Sequence, residues 1–150
     1  ACQNGGIPHP RACNKCICPG GFGGDLCNQR PTGCGATLTA TSNAQTISGS
    51  VGLGATSEQD DFVFCNWRIE APAGRKISAT ITAYKGYACV GGCPYGGIEL
   101  KWASNPILTG SRYCCADDVK STVTSETNVL NVIGFNRYAK DTFTISYRLV

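Results

Sequence analysis

The chain has 150 residues, a formal net charge of +3, 11 cysteines and no methionine. That length holds one ordinary domain, or one domain with a small companion. So many cysteines argue against a reducing compartment, where disulfides do not persist, and no cluster of basic residues supports nucleic-acid binding.

No apolar run approaches the roughly 20 residues that a membrane-spanning helix needs. No secretory leader opens the chain, so a mature or excised segment is expected. The competing reading of the cysteines is zinc, with Cys13-x-x-Cys16 and Cys89-x-x-x-Cys93 as ligand pairs. Neither has a matching second pair at finger or ribbon spacing, so a secreted, disulfide-bonded protein is expected. The odd count leaves one thiol without an internal partner.

Residues 1–28 hold five cysteines, many Gly and Pro, and few large apolar side chains. Such a segment buries no core and must be held by disulfides. It reads Cys2-x-Asn4-Gly5-Gly6, then Cys13-x-x-Cys16-x-Cys18-Pro19-x-Gly21-Phe22-x-Gly24-x-x-Cys27. This order resembles an EGF-like module whose first cysteine is missing. The resemblance implies Cys2–Cys16 and Cys18–Cys27 bridges, and a partner for Cys13 upstream of Ala1 or in another chain. Residues 29–33, with Pro31, are expected to be a short polar linker that limits how far two modules roam.

Residues 34–150 show no convincing 3.6-residue period, and an all-β fold is expected. Thr46–Leu53 and Asp61–Phe64 flank a turn. The strand from Ile77 alternates strictly, with Ile77, Ala79, Ile81 and Ala83 on one face and Ser78, Thr80 and Thr82 on the other. That period is what a strand half-buried in an antiparallel sheet needs. Further strands are predicted at Ile98–Trp102, Val129–Ile133 and Thr142–Tyr147.

The motif Cys65-x-Trp67-x-Ile69-x-x-Pro72-x-Gly74, followed by Cys93-x-Tyr95-x-x-Ile98-Glu99-Leu100, resembles the middle of a CUB domain, an extracellular antiparallel β-sandwich. The resemblance implies Cys34–Cys65 and Cys93–Cys114 bridges. Cys89 and Cys115 are then expected to pair as an addition; the swapped pairing, Cys89–Cys114 with Cys93–Cys115, stays open. Neighbours in a strand point to opposite faces, so Cys114 and Cys115 serve one side only if a bulge intervenes. Many CUB domains hold calcium on three loop carboxylates. The matching positions here are Gly96, a segment with no acid between Glu70 and Glu99, and Asn136-Arg137. No calcium is therefore expected, and Asp117-Asp118 is read as a solvated turn.

The one histidine, His9, lies in a proline-flanked turn and is read as solvated, and no H-E-x-x-H zinc motif occurs. No catalytic residue is expected. What remains is binding. Tyr84, Tyr87, Tyr95, Tyr113 and Tyr138 fall in or near expected loops and strand ends, and tyrosine suits interfaces. Lys85, Tyr87, Tyr95 and Tyr113, around the loop from Lys85 to Gly97, are the candidate binding residues. The two modules in tandem, with Arg30-Pro31-x-Gly33-Cys34-Gly35 and Gly92-Cys93-Pro94-Tyr95-Gly96-Gly97, resemble the C-terminal region of nematode-type astacin metalloproteinases. That implies a non-catalytic exosite or targeting region, with zinc only in an upstream protease domain. Its partners would be extracellular proteins or substrate, its own protease domain, or another copy. A free-standing adhesion or self-assembling protein, and a module capturing a glycan or growth factor, are the alternatives.

Overall fold

The computed structural model describes residues 1–150. An N-terminal antiparallel hairpin joins β1 (Ile7–His9) to β2 (Ala12–Ile17). The rest is a two-layer sandwich. One layer contains β3 (Gly35–Thr39), β5 (Val63–Glu70), β10 (Val129–Asn136), β7 (Gly96–Lys101) and β8 (Ser111–Tyr113), side by side in that order. The other contains β4 (Gln45–Val51), β11 (Asp141–Leu149), β6 (Ile77–Lys85) and β9 (Thr122–Thr124). All pairings are antiparallel except β3 with β5. There β3 approaches β5 so closely that a Cβ on Gly35, at φ 114°, would sit 1.8 Å from the Asn66 carbonyl oxygen, so only glycine fits.

The core lies between the layers. Ile69, Ile98, Leu100, Leu130 and Val132 face Ile77, Ala79, Ile81 and Ile145, and all nine are fully buried. Burying each large aliphatic side chain stabilises by roughly 1.5–3 kcal/mol before entropy is counted. Trp67 meets Phe143 across the layers, edge to face, with centroids 5.6 Å apart.

The alternation of β6 holds only as far as Ile81. Thr82 and Ala83 are both exposed and Tyr84 turns inward. The register with β11 slips here, Thr144 pairing Ala83 and Ile145 pairing Ile81. This bulge inserts one residue, so Ala83 leaves the expected face and Tyr84 takes its place.

Five disulfides are present: Cys2–Cys16, Cys18–Cys27, Cys34–Cys65, Cys89–Cys115 and Cys93–Cys114. Cys13 is free and exposed on β2. Cys114 and Cys115 sit beyond the end of β8 and not within a strand. A 3-10 turn, Ala116–Asp118, follows, and both cysteine N–H groups donate to Asp118 Oδ2 at 2.9 and 3.0 Å. A turn, and not a bulge, sends the two bridges apart. Asp117 is exposed, whereas Asp118 is half-buried and holds this turn together.

Candidate binding surfaces

Three loops meet at one end of the sandwich: residues 52–62, 86–95 and 137–140. Backbone bonds tie them: Gly54 N donates to Ala139 O, Gln59 N to Arg137 O, and Arg137 N to Tyr95 O. Arg137 is at the centre. It pairs with Glu58, donates from Nε to the Pro94 carbonyl at 2.9 Å, and lies 5.5 Å from the ring centroids of both Phe62 and Tyr95. Tyr95 in turn packs on Tyr138 at 5.9 Å.

Beneath this cluster lies a buried carboxylate. Asp141, 4% exposed, accepts a hydrogen bond from Asn136 Nδ2 at 3.1 Å. A Cβ on Gly86 or Gly96 would come within 2.2 or 2.1 Å of its oxygens, so the two glycines make the space it occupies. Burial pushes the Asp141 carboxyl up, and the hydrogen bond from Asn136 and the adjacent Tyr84 hydroxyl offset part of that rise. The Tyr84 hydroxyl lies beside the carboxylate without a well-aligned bond to any partner. Burial, then the neighbouring Asp141 charge, holds its pKa far above the usual phenol value.

The expected binding residues do not form one surface. Tyr87 is 75% exposed, and Lys85 is exposed at the end of β6. Tyr95 is half-buried in the Arg137 cluster, and Tyr113 lies on β8 packed against the core. His9, half-buried in the hairpin, accepts a hydrogen bond at Nδ1 from Arg11 N.

A second surface was not legible as one. The N-terminal module packs on the outward face of the five-stranded sheet. Lys101 Nζ donates to the carbonyls of Gly20 and Pro106, at 2.8 and 2.6 Å, and lies 5.2 Å from the Phe22 ring centroid. Burial lowers its pKa, and Glu99 offsets part of that shift. Arg30 Nη1 donates to the carbonyls of Gly33, Cys34 and Asn66, each at 3.2 Å. The linker is therefore bound down along the sandwich. Beside the contact runs an open groove of about 630 Å³, walled by Phe22, Phe62, Phe64 and Phe135, with Ile133 and Asn66 on its floor. The missed signal was a period of two in β5 and the residue before it: Phe62, Phe64, Asn66 and Arg68 share the outward face, opposite Val63, Cys65, Trp67 and Ile69.

No protein-family model matches the chain. Solved structures place its fold. The CUB1-EGF-CUB2 domains of rat MASP-1 match 99% of this chain and 47% of that one, with a TM-score of 0.52 and 15% identity. The extracellular region of zebrafish Gpr126/Adgrg6 matches 79% of this chain and 15% of that one, with a TM-score of 0.53 and 24% identity. The class is thus a CUB-type β-sandwich. Among curated proteins, the Caenorhabditis elegans zinc metalloproteinases nas-31 and nas-32 are 40% and 41% identical to it, over 99% and 100% of this chain. Nas-25 of the same organism is 41% identical over 99% of it. The chain spans only 24%, 24% and 38% of those three proteins. It is homologous to one region of the nematode astacin zinc metalloproteinases.

Proposed function

We propose that the chain is a non-catalytic, protein-binding exosite or targeting region of a secreted astacin-like metalloprotease. Residues 1–28 would form a partial EGF-like module, 29–33 its linker and 34–150 the CUB domain. The observation that carries this reading is the end-to-end match to a minor part of several zinc metalloproteinases. The chemistry of the sandwich end supports a binding role and no hydrolysis. Its one buried carboxylate, Asp141, is engaged by Asn136, and the exposed Glu58 is paired with Arg137. A divalent cation needs several free oxygen ligands. With a guanidinium at the centre, this set fits calcium poorly, so the reading includes no metal in this chain. Zinc belongs to a catalytic domain elsewhere in the full protein.

Three measurements test it. The transcript is expected to encode an H-E-x-x-H motif upstream; its absence hands the reading to a free-standing assembly protein. Deleting residues 1–150 from the full protease is expected to lower kcat/KM on a folded protein substrate and leave short-peptide hydrolysis unchanged. Equal losses on both substrates would contradict an exosite. Calcium chloride and EDTA should leave the melting temperature of the chain unmoved.

The exposed thiol of Cys13 favours one second reading, a chain linked covalently to another. Non-reducing intact mass decides it: a doubled mass that collapses on reduction would make assembly the leading function.

A further inference from the structure

We propose that the groove between the N-terminal module and the five-stranded sheet binds an extended peptide segment bearing a large apolar side chain next to a carboxylate. This deepens the protein-binding reading above and rests on it.

The walls of the groove are aromatic and partly bare. Phe64 is 55% exposed and Phe62 36%, their centroids 6.2 Å apart, and Phe62 meets Phe135 at 5.8 Å. Adjacent rings left facing water mark an interaction site better than scattered apolar residues do. At about 630 Å³ the groove falls within the roughly 300–1,000 Å³ of ligand sites.

Two polar groups fix what lies against those rings. Asn66 is 8% exposed and lines the groove; its Oδ1 is buried without a hydrogen-bond partner and its Nδ2 makes no bond within the protein. An amide left unpaired in a nearly buried position carries a desolvation cost that a ligand can relieve. A side-chain amide carries N–H donors and an acceptor oxygen, which complement the carbonyl and N–H of a peptide unit. Arg112, also lining the groove, uses Nε on Glu99 and lies 5.0 Å from the Phe135 centroid. Its Nη groups make no bond within the protein, and the side chain is 46% exposed, so a cation is open to a carboxylate. Glu99 offsets part of that charge, but Arg112 Nε and Gly110 N occupy its two oxygens, so the Nη donors stay free for a ligand carboxylate.

A peptide suits this balance better than a sugar. A saccharide presents a hydroxyl at nearly every carbon and needs a polar lining to match. Here the lining is mostly apolar, and its polar side chains are those of Thr32, Asn66, Glu99 and Arg112. An apolar anchor between Phe62, Phe64 and Phe22, a backbone amide on Asn66 and a carboxylate on Arg112 satisfy all three features.

The test pans a phage-displayed random dodecapeptide library on the 150-residue chain, then measures the enriched peptides by fluorescence anisotropy. The enriched sequences are expected to place an aromatic, Leu or Ile within a few residues of Asp or Glu. Phe64→Ser should weaken binding about tenfold or more, as removal of an anchor does, while Phe64→Leu retains most of it. Thr32→Trp, at the exposed rim, should block the groove and serves if Phe64→Ser fails to fold. Tyr87→Ser, in the 86–95 loop, should change nothing. Replacing the peptide carboxylate by its amide should weaken binding and reduce its salt sensitivity. The proposal is overturned if no peptide is enriched, if enriched peptides ignore the groove variants, if Tyr87→Ser abolishes binding, or if a glycan array gives the Phe64-dependent ligand instead. Those results leave the H-E-x-x-H and deletion tests untouched, so the two failures are distinguishable.

Discussion

The two faces of the five-stranded sheet are covered by opposite means, the inner one completely and the outer one only in part. On the inner face Ile69, Leu130, Val132, Ile98 and Leu100 exclude water with hydrocarbon alone. On the outer face the matching rows are mostly polar: Arg68, Asn131 and Lys101 in one, Asn66 and Glu99 flanking the apolar Ile133 in the next. Asn66, Asn131, Glu99 and Lys101 are nevertheless buried. The N-terminal module makes the difference. Having no core of its own, it covers the sheet with Gly20, Gly21 and Phe22 and gives Lys101 one acceptor, the Gly20 carbonyl. Burial by area organises the sandwich, and burial by hydrogen bonds joins the module to it. The second kind is directional, so it fixes how the module sits.

The largest effect in this comparison should come from the inner face. Leu100→Ala, at a fully buried position, is expected to cost ~2–5 kcal/mol by lost transfer energy and a residual cavity. Denaturant unfolding should show it, with the N-terminal module still attached in the folded state. On the outer face Lys101→Met keeps the length of the side chain but orphans the carbonyls of Gly20 and Pro106. A cost of ~1–3 kcal/mol is expected. Its signature is local: amide exchange around Gly20–Phe22 should accelerate while the sandwich core stays protected.

The smallest effect is a pH slope at the loop end. The folded state holds the Asp141 proton more tightly than the unfolded chain does. Stability from this source is full below the unfolded pKa, about 4, and is lost as pH rises through the raised folded value. Asp141→Asn keeps an acceptor for Asn136 Nδ2 and removes the charge. Melting curves of the variant should therefore lack the downward slope that the native chain shows as pH rises above about 4.

The sequence spoke clearly wherever structure follows a local period. The β6 alternation and the β11 pattern of Phe143, Ile145 and Tyr147 place their strands because each residue faces one of two environments. It was silent where a side chain meets something remote. Nothing local marks Thr82 as the bulged residue or Tyr84 as buried. Lys101, Glu99 and Asn66 carry the composition of a solvated face, and what covers them is brought in by the fold: residues 20–22, the loop through Pro106 and Gly110, and Arg112. Asp141, flanked by Lys140 and Thr142, likewise reads as surface until Gly86 and Gly96 close over it. The tyrosines drew notice as interface residues, yet the bare rings at the groove are Phe62 and Phe64.

The module and sandwich as one body, with a groove between them, is the central claim, and residual dipolar couplings test it most directly. Backbone amides of residues 1–28 and 34–150 are expected to fit one alignment tensor. Two different tensors would mean that the module swings free, and that neither the Lys101 contacts nor the groove persists in solution.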